Sequence, residues 1–230
     1  MPHKKMALPA VLFDLDGTLI DSVYEHVAAW WETLREARFD VPKWMIHRRV
    51  GMSGKSMLQE LVREFSINKN RLDLDRLEQG HDARFRRIIP DLQPLPGANE
   101  LLNHLHKSRV RIAIATTGNR KQTAVLLKQL QLPKGMRVVT GDDVVKAKPA
   151  PDIFVAAAKE LKVNLADCIV VGDSVWDVLA AGRKRALPVS LLSGGYGGDE
   201  LERAGAFRVY SDPQDMLQHL EQLGLPGKQS

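Results

Sequence analysis

The sequence has a single cysteine, Cys168, in 230 residues. No disulfide can close within the chain, which excludes a disulfide-stapled secreted scaffold and points to a reducing cytoplasm. No apolar run is long enough to span a bilayer, so no membrane partner is expected. The N-terminus is basic, but the apolar stretch after it is short, is interrupted by Pro9 and runs into Asp14. It reads as a strand and not as a signal peptide. Long tracts of one charge sign are lacking too. The 33 basic and 28 acidic residues give a net charge of +5, and they are interspersed. The densest cluster, Arg84, Arg86 and Arg87, reads as a solvated helix face. A nucleic-acid partner is therefore not expected, although a mildly cationic surface helps gather phosphorylated substrates. Internal repeats and low-complexity segments are absent, and the ordinary apolar content argues against disorder. The length suffices to bury a substantial core.

What is present is concentrated in a few polar clusters. Ala10–Phe13 reads as a buried strand, and Asp14-Leu15-Asp16-Gly17-Thr18 follows it directly. Two carboxylates two residues apart are thus delivered at a strand's end, where open α/β sheets bind ligands. Gly17 lets the chain turn away at once. In such a pair one aspartate can attack while its neighbour handles a proton. Alone, the run could equally be an acidic turn. Three further clusters recur downstream in similar settings. Val110–Ala115 ends in Thr116-Thr117-Gly118-Asn119. Lys146 to Asp152 carries Lys148 immediately before Pro149. Cys168–Val171 ends in Gly172-Asp173-Ser174-Val175-Trp176-Asp177. In a parallel sheet, all four clusters would gather at one edge.

The pattern of elements is an interrupted α/β one. Asp21 and Ser22 offer helix N-caps. Val23, Val27, Trp30, Trp31 and Leu34 fall at helical spacing, as do Met57, Leu58, Leu61, Val62 and Phe65, and then Leu77, His81, Phe85 and Ile88. Between Asp21 and Ile89 no comparable strand run occurs. Strand candidates resume at Val110–Ala115, Arg137–Thr140, Cys168–Val171 and Val189–Leu192. The fold class read from this is α/β: a Rossmann-like core with a parallel sheet, formed by residues 1–20 and 91–230, and an inserted α-helical cap, residues 21–90.

The ordered clusters resemble those of the haloacid dehalogenase superfamily, in particular its magnesium-dependent phosphatase branch. Asp14-x-Asp16-x-Thr18 is similar to the family's first motif, Thr116 to the second, Lys148 to the third, and Asp173 with Asp177 to the fourth. The match is dispersed over most of the chain and keeps its order, which a single short pattern cannot do. The resemblance implies an enzyme, a phosphoric monoester hydrolase acting on small phosphorylated metabolites. It makes Asp14 the nucleophile that forms an aspartyl-phosphate, and Asp16 the group that protonates the leaving oxygen and then takes a proton from water.

A dianionic phosphate beside two carboxylates is repelled. At 4 Å and an effective dielectric of 20, each like-charged pair costs roughly 4 kcal/mol. Cations must offset this, and Mg2+ suits oxygen ligands. The resemblance implies that Asp14 and Asp173 offer carboxylate oxygens and Asp16 its backbone carbonyl, with Asp177 a direct or water-mediated ligand. It implies that Lys148 neutralises charge, and that Thr116, Thr117 and Gly118 hold phosphate oxygens, with Asn119 a further donor. Thr18 reads as a turn or phosphate-positioning residue. Lys146 competes with Lys148 for the site, but only Lys148 directly precedes Pro149.

Gly51-Met52-Ser53-Gly54-Lys55-Ser56 imitates the end of a P-loop. Arg49 stands where that motif needs glycine, and no strand precedes it. Arg49, Ser53 and Lys55 are instead taken as cap residues for substrate, against the alternative of an interhelical turn with exposed charges. His47 reads as solvated or packed, Trp176 as packing, and the run Gly194 to Gly198 as a loop that could edge the site. Within the superfamily, Asp16 argues against a dehalogenase. A phosphomutase of the β-phosphoglucomutase type is the serious rival, and a non-catalytic phosphate-binding module the minor one. Oligomeric state and the physiological substrate are not encoded in these motifs.

Overall fold

The computed structural model describes residues 8–66 and 73–227. Residues 1–7 and 228–230 of the expected core, and 67–72 of the expected cap, lie outside the described residues. Six strands form one parallel sheet: β1 Ala10–Phe13, β2 Ile112–Ala115, β3 Arg137–Val139, β4 Cys168–Gly172, β5 Leu187–Leu191 and β6 Arg208–Tyr210. Their spatial order is β3-β2-β1-β4-β5-β6. The order reverses between β1 and β4, and the crevice beyond the strand ends at such a reversal is where ligands enter doubly wound sheets. Phe13 lies opposite Val171 in the register. Asp14 and Asp173 are therefore delivered to the two sides of that crevice.

Strict alternation builds the core. Val11 and Phe13, Ile112 and Ile114, Ile169 and Val171 face one side of the sheet, where Leu101, Leu105, Met216 and Leu220 pack. Ala10 and Leu12, Ala113 and Ala115, Cys168 and Val170 face the other, against Ile153, Phe154, Ala157 and Ala181. Both faces are apolar, as a parallel sheet covered by helices on both sides requires.

Among the described residues five α-helices separate β1 from β2, and the first four are α1 Val23–Glu36, α2 Lys43–His47, α3 Gly54–Glu64 and α4 Leu74–Ile88. Val27, Trp30, Leu34, Met45, Leu58, Leu61 and Leu77 form their own apolar cluster. Ala29, Phe85 and Ile89 join the core beneath the sheet instead, so these helices are packed onto the α/β part. The remaining helices are α5 Ala98–Lys107, α6 Arg120–Leu126, α7 Asp152–Glu160, α8 Val175–Gly182, α9 Gly198–Ala204 and α10 Pro213–Gln218. No described helix is long and apolar enough to cross a membrane.

Candidate active site

Every polar cluster singled out in the sequence follows a strand or precedes a helix, and the strand ends bring them together. Asp14 continues β1, its backbone N–H donating to Val171 O at 2.9 Å. Lys148 is fully buried, with its Nζ 2.8 Å from Asp14 Oδ1 and 2.6 Å from Asp177 Oδ1. Lys146, by contrast, is exposed. Burial opposes the charge of Lys148, yet the two carboxylates hold its pKa above the ordinary lysine value.

Asp14, Asp173 and Asp177 are all buried and can offer ligand atoms within 4.8 Å of one another. Burial pushes the Asp14 carboxyl up to about 7; Lys148 pulls it down and Asp177 pushes it further up. Asp173 is raised well above the usual carboxylate range by burial, then by Asp177 and Asp14. One lysine cannot balance three buried acids, and an all-oxygen donor set suits a hard divalent cation. The residues present therefore fit a metal ion.

Asp173 needs room that only glycine leaves. A Cβ at position 194 would stand 1.9 Å from Asp173 Oδ2, and one at position 17 would stand 2.6 Å from the same oxygen. Thr18 has no exposed surface, and its hydroxyl donates to Asp173 Oδ1 at 3.1 Å. Its place is thus beside this acid. Asp177 closes a capping box at the start of α8, accepting from Ser174 Oγ at 2.5 Å while its other oxygen meets Lys148.

Asp16 sits apart from that trio. Ser22 Oγ donates to its Oδ1 at 2.7 Å, and Thr116 Oγ1 approaches its Oδ2 at 3.4 Å. Burial raises its pKa, but His26, Ser22 and Lys148 outweigh it and hold the carboxyl below the usual range. His26 Nε2 lies 3.2 Å from Asp16 Oδ1. A chain of polar contacts extends from there. His26 Nδ1 is 3.0 Å from His81 Nε2, and His81 Nδ1 is 3.2 Å from Asp82 Oδ1. Burial depresses the His81 pKa to about 4, so its ring is neutral.

The remaining expected site residues are placed as follows. Thr116 Oγ1 accepts from Gly118 N at 3.0 Å, and Thr117 Oγ1 reaches toward Gly51 O at 3.4 Å. Asn119 caps α6 through Oδ1, and its Nδ2 donates to Asp82 Oδ2 at 3.0 Å, so both ends of its amide are engaged. Arg49 turns its guanidinium to Glu60, Glu64 and the Met45 carbonyl, and the residue is among those that line the cavity. Ser53 caps α3, accepting from Ser56 N. Lys55 is mostly exposed, 3.9 Å from Asp75. A cavity of about 810 Å³ is lined by Asp14, Asp16, His26, Ser53, Lys55 and Asn119 among others.

His26, His81 and Asp82 were not legible as site residues. His81 falls in the third helical stripe, with Leu77, Phe85 and Ile88, where it reads as packing. The available signal was a second buried-phase histidine, His26, on α1. Trp176, expected only to pack, donates from Nε1 to Arg48 O at 3.1 Å, and Tyr196 OH donates to the same carbonyl at 2.8 Å. His47 Nε2 meets Gly194 O at 2.8 Å, and that glycine stands beside Asp173.

Residues 8–183 match the model of the haloacid dehalogenase-like hydrolase family. The chain belongs to that family. A crystal structure of a hydrolase from Pseudomonas syringae superposes with a TM-score of 0.88 at 46% identity, covering 94% of this chain and 99% of that one. A phosphoglycolate phosphatase from Rhodospirillum rubrum is 31% identical over 212 residues, 88% of this chain and 87% of the relative. A bifunctional riboflavin kinase/FMN phosphatase from Arabidopsis thaliana is 32% identical over 176 residues, 74% of this chain. The match spans only 45% of that longer protein.

Proposed function

We propose that this family member is a magnesium-dependent phosphatase of small phosphorylated metabolites, acting through an aspartyl-phosphate on Asp14. The observation that carries this reading is the contact of Asp14 with Lys148 at 2.8 Å, inside a set of buried acids at the sheet's reversal point. A binding module would need the cation and the phosphate donors, but not a nucleophilic carboxylate among them.

In the first step an Asp14 carboxylate oxygen forms a bond to phosphorus as the bond to the leaving oxygen breaks, and Asp16 gives that oxygen its proton. In the second, water attacks the phosphorus of the aspartyl-phosphate, passes a proton to Asp16 and regenerates the Asp14 carboxylate. Lys148 neutralises charge shared between Asp14 and the phosphate. Thr116 and the backbone around Thr117 and Gly118 orient phosphate oxygens. Mg2+, held by Asp14, Asp173 and the Asp16 carbonyl with Asp177 close by, would supply the further positive charge that a phosphate needs beside these acids. The helical insertion, residues 21–90, serves as the cap that closes over the leaving group.

The test is magnesium-dependent release of phosphate from an aryl phosphate. Asp14→Asn should reduce it to background, and release that persists in this variant overturns the mechanism. A mutase would instead interconvert sugar phosphates when primed with a bisphosphate, releasing little free phosphate.

A further inference from the structure

The insertion brings positive groups to the cavity, and each of them already has an acid or a cap beside it. Arg49 lies against Glu60 and Glu64 and donates to the Met45 carbonyl. Lys55 Nζ lies 3.9 Å from Asp75 Oδ1, with more than half of its side chain in solvent. The first turn of α3 carries N–H groups whose combined dipole would attract an anion. Here Ser53 Oγ accepts from Ser56 N at 3.2 Å, and the carboxylate of Glu78, on α4, accepts from the backbone N–H of Lys55. Glu78, Arg49 and Lys55 all line the cavity that also holds Asp14 and Asp16.

We propose that Glu78 is a specificity-determining residue: it makes the insertion's wall of the cavity select phosphate esters whose leaving group is uncharged and bears hydroxyls, and reject those that carry a carboxylate or a second phosphate there. The proposal rests on the phosphatase reading above. An ionised carboxylate only accepts hydrogen bonds, so it takes hydroxyl donors and repels anions. In this corner one lysine, Lys55, faces two acids, Glu78 and Asp75. Burial raises the Glu78 pKa. The N–H and the charge of Lys55 oppose that rise, and Asp82 and Asp75 add to it. The surroundings that resist a charge on Glu78 resist an anionic ligand beside it as well.

The apolar part of the same wall is Trp30. A Cβ at position 54 would stand 2.8 Å from Trp30 Cζ2 and 2.9 Å from Glu78 Oε1, so glycine there lets an indole edge and a carboxylate lie side by side. The pair offers apolar contact to a carbon skeleton and an acceptor to its hydroxyls. Lys146 and Arg183 line the cavity too, but both are exposed, on the α/β side, where water and salt screen their charge. Specificity of this kind comes from a repulsive element as much as from an attractive one. A role confined to capping α3 would need only an acceptor at Glu78 and no charge.

The test uses glycerol 3-phosphate and 3-phosphoglycerate, which differ only in a hydroxymethyl group replacing a carboxylate. Each is measured as a competitor of an aryl phosphate whose hydrolysis is followed in the presence of Mg2+. For the wild type, Ki should be lower for glycerol 3-phosphate by about tenfold or more. Glu78→Gln keeps the volume and an oxygen that accepts from the Lys55 N–H, so its melting temperature should hold. It should bind 3-phosphoglycerate about tenfold more tightly, with Ki for glycerol 3-phosphate changed by less than about threefold. A wild type that binds 3-phosphoglycerate as well as glycerol 3-phosphate or better overturns the proposal, whether or not the variant folds. A folded variant that shifts both Ki values equally, or neither, overturns it too and leaves Glu78 a helix cap. A wild type that leaves the aryl phosphate intact overturns the phosphatase reading itself, and the proposal with it.

Discussion

Asp173 occupies a space defined by missing atoms. Gly17, at φ +76°, and Gly194 both approach its carboxylate so closely that a methyl group would overlap it. Gly194→Ala should therefore swing the Asp173 side chain without touching Asp14. By analogy with the loss of groups that orient metal ligands, divalent affinity should fall about 10- to 100-fold. Titrating activity against Mg2+ concentration checks this: a shifted midpoint with a recovered maximum supports it, and an unmoved midpoint refutes it. Legibility at this scale followed chain geometry. Asp14, Asp16, Lys148 and Asp173 could be singled out because each adjoins a strand end or a proline, where local sequence dictates the direction of the chain. His26 and His81 could not, because a histidine at helical spacing reads the same whether it packs or relays. The motifs point to Thr18 and Asn119 as site candidates, but their partners, Asp173 and Asp82, lie 155 and 37 residues away. No local pattern encodes such pairings.

Among the elements, α8 shows how one residue serves structure and site together. Ser174 and Asp177 cap each other's backbone at its start, and Asp177 also faces Lys148. Ser174→Ala should cost about 1 kcal/mol of stability, the usual price of a lost N-cap. Urea denaturation would show this as a lower midpoint at unchanged slope; an unmoved midpoint would mean that the box contributes nothing. The strands could be read with small errors at their ends, since runs such as Cys168–Val171 are apolar on both faces. The structure extends that run to Gly172 and starts β5 two residues earlier than expected, at Leu187. Two elements escaped. The edge strand β6 has only three residues, Arg208–Tyr210, with Arg208 exposed, and α2 spans barely more than a turn. Neither is long enough for its periodicity to stand out. Ser22 occupies the N-cap position of α1 as expected, but its hydroxyl turns to Asp16 and makes no cap bond.

For the whole molecule, the buried acids make stability depend on pH and on cations. Asp14, ordinarily near 3.8, sits at about 7 in the folded protein, and Asp173 is shifted in the same direction. Between these values the folded state binds more protons than the unfolded chain. The contribution of Asp14 is therefore fully present below about 4 and is lost as pH rises through about 7, and that of Asp173 is lost in the same direction. A divalent cation that binds the ionised acids offsets this loss, and it competes with protons as the pH falls. The rise in Tm on adding Mg2+ should accordingly be larger at about pH 8 than at about pH 5. It should shrink in Asp173→Asn. A rise of equal size at both pH values would place the cation elsewhere.

The carbonyl of Arg48 receives two hydrogen bonds from the α/β part, one from Trp176 and one from Tyr196. Any amino acid at position 48 carries that oxygen, so the anchorage is independent of side-chain identity. The stretch that follows, from Arg49 through Gln59, supplies much of the cavity wall. Such a mounting makes the wall interchangeable: segments grafted in from relatives would inherit the same pivot, and selectivity could drift while the phosphoryl chemistry stays put.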